Sequence, residues 1–135
     1  MKRLVLAVAV LALAASCERR PQVADPVADC ERLTDSAARI AACTAVAEDE
    51  ARSAEVRAAA YAGRGDAREG AGEVTSALRD YEAALRLNET QPVALLGRAR
   101  ILIRSGQLDA AEPLLIRAMD GDDTGAARQM LGRIA

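Results

Sequence analysis

Two features of this sequence specify an all-α solenoid of about three helix–turn–helix hairpins, closed by a short C-terminal helix. The first is composition. About a quarter of the 135 residues are Ala, and Arg and Leu are plentiful, whereas Phe and Trp are absent and Tyr occurs only twice. Ala, Leu and Arg are the strong helix formers, and the aromatic strand formers are the ones missing. The second is self-similarity. Tyr61, Gly65, Gly72, Val74, Ala77, Tyr81 and Ala84 recur 34 residues later as Leu95, Ala99, Gly106, Leu108, Ala111, Leu115 and Ala118. A chain of this length holds at most one such domain.

In chain order, residues 1–16 read as a secretory signal peptide. Lys2 and Arg3 form a basic start, Leu4–Ala15 is an apolar run of twelve, and Ala14, Ala15 and Ser16 are small. As a helix that run spans roughly 18–20 Å, short of a ~30 Å hydrocarbon core, which argues against a stable transmembrane helix. Two cleavage sites compete. Ala12-Leu13-Ala14 has the small-x-small pattern of ordinary signal-peptide cleavage, which leaves Cys17 in a soluble periplasmic or secreted chain. Ala14-Ala15-Ser16-Cys17 resembles a bacterial lipobox, with Ala14 where that motif prefers Leu, Val or Ile. The lipobox resemblance implies that Cys17 is acylated and becomes the first residue of the mature protein. Cysteine parity favours it: of three cysteines, lipidation of Cys17 leaves Cys30 and Cys43 as an even pair. The expectation is therefore a lipoprotein of the bacterial envelope facing the periplasm. By analogy with enteric bacteria, Glu18 beside the lipid directs it to the outer membrane. Residues 17–26 are polar, contain Pro21 and Pro26, and read as a tether.

The helical domain then occupies residues 27–135, with hairpins at about 27–50, 55–88 and 92–120 and a cap at 124–135. Gly72 and Gly106 mark turns between helices, and Gly65 and Ala99 are small enough for paired helices to approach closely. Ala77, Tyr81 and Ala84 lie at i, i+4, i+7 on one helical face, as do Ala111, Leu115 and Ala118. With the stretch ALRDYEAALRLN (77–88), this pattern resembles the tetratricopeptide repeat, a helix–turn–helix unit of 34 residues. Two positions depart from the family. Glu89 stands where Pro often follows Asn88, with Pro92 three places on, and Arg68 stands where Tyr is frequent.

The resemblance extends to an earlier copy, in which AARIAACTAV (37–46) matches a second helix and Cys43 aligns with Tyr81 and Leu115. Cys30 then aligns with Arg68 and Leu102, positions that pack against the former across a helix pair in the family. A Cys30–Cys43 disulfide stapling the first hairpin is what this implies. Inert buried thiols, a metal pair and a redox pair are the alternatives, the last two disfavoured by the lack of His and of a C-x-x-C motif. Thr34, Asp35 and Ser36 supply turn and N-cap chemistry between the two helices. Thr124, preceded by acids, supplies it for the cap.

No catalytic constellation is legible. There is no His to serve as a base, no Gly-rich phosphate loop before a Lys, and no calcium-loop spacing, so neither an enzyme nor a cofactor or metal is expected. A net charge of −2 without basic clusters or aromatic platforms argues against nucleic acid. A protein partner remains. In tetratricopeptide arrays the first helix of each pair lines a concave groove for peptides. Here that implies Asp66 and Glu69 at an acidic end, then Val93, Leu96, Arg100, Ile103 and Arg104, then Met130 and Ile134, with Leu95, Ala99 and Leu102 facing the core. The expected function is a non-catalytic, membrane-anchored binding or scaffolding lipoprotein. A self-associating structural component, joined through Met130 and Ile134 and possessing no peptide ligand, is the alternative.

Overall fold

The computed structural model describes residues 25–121 and 125–135. The signal peptide, Cys17 and nearly all of the tether lie outside them. The described residues form seven helices: α1 Pro26–Arg32, α2 Ser36–Ala47, α3 Ala54–Gly70, α4 Val74–Leu87, α5 Pro92–Arg104, α6 Leu108–Gly121 and α7 Ala126–Ile134. Among the described residues no helix is long and apolar enough to cross a membrane.

Local chemistry sets the helix starts. Asp25 caps α1 and accepts from the Val27 amide, with Pro26 in the first turn, where a missing N–H costs nothing. Asp35 caps α2, accepting from the Ala38 amide at 2.8 Å. Ser53 does the same for α3, and Gln91 for α5 ahead of Pro92. Pro92 thus has a structural use: it opens α5, so proline directly after Asn88 is not needed. At α7 the expected cap, Thr124, lies outside the described residues. Gly125, at φ 73°, directly precedes the helix.

The two turn glycines end their helices identically. After α3, the Gly72 amide donates to the Glu69 carbonyl and the Glu73 amide to the Arg68 carbonyl. After α5, the Gly106 amide donates to Ile103 and the Gln107 amide to Leu102. These are Schellman closures, which need a left-handed residue at the glycine, and φ is 82° at Gly72 and 77° at Gly106.

Each second helix packs both on its own first helix and on the first helix of the next pair. The first helices α1, α3, α5 and α7 also touch in succession. The molecule is therefore a one-dimensional array of α1/α2, α3/α4 and α5/α6 closed by α7. Its core is divided accordingly into three clusters. Cys30, Cys43, Val46, Ala47 and Ala60 join α1, α2 and α3. Ala62, Ala77, Tyr81, Ala84, Ala94 and Ile101 join α3, α4 and α5. Leu95, Ala99, Ala111, Leu114, Leu115, Ala118 and Ala127 join α5, α6 and α7. Most of these residues are Ala, so helices approach closely while each buried side chain contributes little hydrophobic free energy. Crosslinks and ion pairs count for more in such a core.

The first cluster carries a crosslink: Cys30 and Cys43 form a disulfide, with Cα atoms 4.6 Å apart. Of the alternatives open at these cysteines, the crosslink is the one present. Both sulfurs lie against α3, where a Cβ on Gly63 would come within 3.4 Å of them. The second cluster uses a larger residue in the same way. Tyr81 is fully buried between two glycines, with a Cβ on Gly65 falling 2.7 Å from its ring and one on Gly97 2.3 Å from it. Gly63 and Gly97 are 34 residues apart, and the third copy of that position is Leu131. There the residue aligned with Tyr81 is the smaller Leu115, and Leu131 packs against its cluster.

Candidate functional site

Five charged side chains run from α2 across α3 to α5 as an alternating chain. Arg39, near the start of α2, pairs with Asp66 of α3 at 3.0 Å. Asp66 also meets Arg100 of α5 at 3.4 Å. Arg100 then grips Glu69 through two donors, at 2.7 and 2.8 Å, and Arg104 reaches the same carboxylate at 2.8 Å. The Glu69 side chain is only 5% exposed, and the Tyr81 hydroxyl donates to it at 2.9 Å. Burial opposes the charge on Glu69, but hydrogen bonds from Arg100 and Tyr81 outweigh it and hold the carboxyl below its usual range. Burial next to that carboxylate pushes the Tyr81 phenol far up, so it stays protonated and donating. The hydrogen bond to Glu69 raises Arg100 despite its partial burial.

Two open clefts lie along this chain. One, of about 380 Å³, is lined by Ser36, Arg39, Asp66, Ala67, Glu69, Gly70, Arg100 and Arg104. The other, of about 240 Å³, is lined by Arg100, Ile103, Arg104, Met130 and Arg133. They share Arg100 and Arg104, so together they form a continuous face from α2 to α7.

Of the residues expected on this face, the structure joins Asp66, Glu69, Arg100, Ile103, Arg104 and Met130. The expected separation into an acidic end and an arginine end does not hold. Asp66 and Glu69 are interleaved with arginines, because α3 and α5 sit close enough for direct pairing. Val93 is exposed but lines neither cleft. Leu96 is half-buried against the third cluster together with Leu102, so it shares the packing expected of Leu95, Ala99 and Leu102. Ile134 lines a different hollow, beside Leu108 and Leu131, and it and Met130 both pack on the same cluster.

Sequence reasoning missed three contributions. Arg39 comes from a second helix, and its pairing with Asp66 spans 27 residues, which no local pattern reveals. Arg133 lies three residues after Met130, a helical spacing that could have found it. The third is a buried ion network between the first two pairs. Arg64 forks onto Asp80 at 2.8–3.2 Å and reaches Thr44 and Glu48, while Arg68 meets Asp80 at 2.7 Å. Burial works against the Arg64 charge, and its bonds to Asp80 more than offset that. Arg68 therefore departs from the usual tyrosine because it neutralises Asp80, whose side chain is 3% exposed. Among the described residues, no group of three or more Cys, Asp or Glu side chains is placed to hold a metal ion.

No curated protein and no solved structure matches the chain. Residues 70–134 match a family model described as tetratricopeptide repeat. This match covers the end of α3 through α7 and so includes both turn glycines and the arginine-rich half of the face. The all-helical array of paired helices is consistent with the helical-repeat architecture that this match implies for residues 70–134.

Proposed function

We propose that this chain is a non-catalytic binding or scaffolding lipoprotein of the bacterial envelope. It is held at a membrane, most simply the outer one, by a lipid on Cys17, and engages a protein partner through the face running from α2 to α7. Tetratricopeptide repeats are generally protein-interaction modules, which supports the binding role. The leader layout and cysteine parity support the location. The observation that carries the choice of face is the pair of joined clefts, whose lining side chains come from all three helix pairs and the closing helix.

Site-specific photo-cross-linking in the native cell tests this. A cross-linker at Ile103, inside the second cleft, is expected to give a discrete adduct with another protein. One at Ile116, exposed on α6 away from both clefts, is expected to give none. Adducts from Ile116 alone would move binding to the other face. Adducts made only with a second copy of the chain would favour a self-associating structural component.

A further inference from the structure

The charge chain begins and ends on arginine. Arg39, Asp66, Arg100, Glu69 and Arg104 alternate in sign, so the two carboxylates are shared among three guanidinium groups. Arg133 adds a fourth cation at the α7 end and has no ion-pair partner among the described residues. Glu69 is saturated: it accepts from Arg100 and Tyr81, pairs with Arg104, and its side chain is almost completely buried, so it offers little to a ligand. Arg104, by contrast, has a side chain 54% exposed and meets Glu69 as an ion pair at 2.8 Å. It lines both clefts. Between Arg104 and Arg133 lies an apolar floor of Ile103 and Met130.

We infer that the partner bound on this face is an acidic, extended polypeptide segment. Its carboxylates pair with Arg104 and Arg133, and an apolar side chain between them seats on Ile103 and Met130. This rests on the proposed binding face and names its ligand chemistry. Guanidinium groups pair bidentately with carboxylates, and arginines fixed by a neighbouring carboxylate lose less freedom on binding than free ones. A chain segment fits better than the other polyanions available. The apolar floor needs a side chain to fill it, and no aromatic residue lines either cleft for a base to stack on. A flat anionic membrane would meet the rim and leave the floor empty.

The test uses the full chain and fluorescence anisotropy with three labelled probe peptides of equal length, built from Glu and Leu, Gln and Leu, or Lys and Leu. Only the Glu–Leu probe is expected to bind, losing at least tenfold in affinity when salt rises from about 0.05 to about 0.5 M, because exposed charges are screened over ~10 Å at 0.1 M. Arg133→Glu combined with Arg104→Gln should weaken binding at least tenfold. Melting should stay within a few degrees, since Arg100 still holds Glu69. Ile103→Asn should weaken the same probe. Equal binding of the Gln–Leu probe, or indifference to salt or to the arginine variants, would overturn the acidic assignment. It would leave the face itself standing if Ile103 cross-links persist. Tighter binding of anionic vesicles or of a single-stranded oligonucleotide, dependent on the same arginines, would also overturn it. Loss of the Ile103 cross-link to any partner would instead remove the binding reading on which the assignment rests.

Discussion

Gly97→Ala places a methyl group where the Tyr81 ring already lies. The added Cβ falls 2.3 Å from Cζ and 2.6 Å from both Cε2 and the hydroxyl oxygen of Tyr81. Escape is closed on the other side, since Gly65 of α3 lies against the same ring, with its own ideal Cβ position 2.7 Å away. Moving Tyr81 would also strain its hydrogen bond to Glu69. In an open helix Gly→Ala gains up to about 1 kcal/mol from propensity, whereas overpacking a closed core costs about 1–3 kcal/mol or more. The overpacking should win here because neither side of the ring is free. A net loss of about 1–2 kcal/mol lowers the melting temperature on the order of ten degrees for a domain this size. Gly132→Ala in α7 is the control: nothing lies within 4 Å of its Cβ, and it should gain a few tenths to 1 kcal/mol. Thermal melts and urea titrations monitored by helical circular dichroism read both. Adding Tyr81→Leu should recover part of the Gly97→Ala loss, because the smaller side chain vacates the space the new methyl needs. A Gly97→Ala protein as stable as the parent would refute the packing account of the Tyr81 layer.

Removing the staple is the second perturbation. Cys43→Ser should lower the unfolding free energy by roughly 2–4 kcal/mol, and non-reducing mass spectrometry of the parent should find it about two daltons below its reduced form. The third concerns pH. The Glu69 carboxyl is held below its ordinary value, so its stabilising contribution is complete above the unfolded-state pKa near 4.5 and is lost as pH falls below it. The melting difference between the parent and Glu69→Gln should therefore be largest near neutrality and shrink below about pH 4. A difference constant across that range would show that the ion pairs to Arg100 and Arg104 contribute nothing. Fourth, in a Gram-negative host the chain should incorporate labelled palmitate and partition with membranes, and Cys17→Ala should abolish both. A soluble, unlabelled protein beginning at Ala15 would contradict the anchor.

Much of the fold is legible because the repeat states its rules twice. Gly72 and Gly106 are required by a left-handed backbone position that only the turn creates, so their spacing alone locates two helix ends. Asp35 could be read as a cap because capping is chemistry within a few residues. The Gly63 and Gly97 positions recur at the same period but pass unnoticed. What they accommodate, a disulfide in one case and Tyr81 in the other, comes from the preceding repeat and differs each time. The face was half legible for a related reason. Helical periodicity places Arg100, Ile103 and Arg104 on one side of α5, yet cannot say that α3 stands close enough for its acids to be consumed by those arginines. Leu96 shows the same limit, since whether it faces a partner or the core depends on where its neighbouring helices lie.

The central claim is that a protein partner docks on the face from α2 to α7. Hydrogen-exchange mass spectrometry of the full chain, alone and in the complex recovered through the Ile103 cross-link, tests it most directly. New protection is expected in the last turns of α5 and α7, around Arg104 and Arg133, and at the start of α2 near Arg39. Protection confined to α4 and α6, with those turns exchanging as in the free protein, would contradict it.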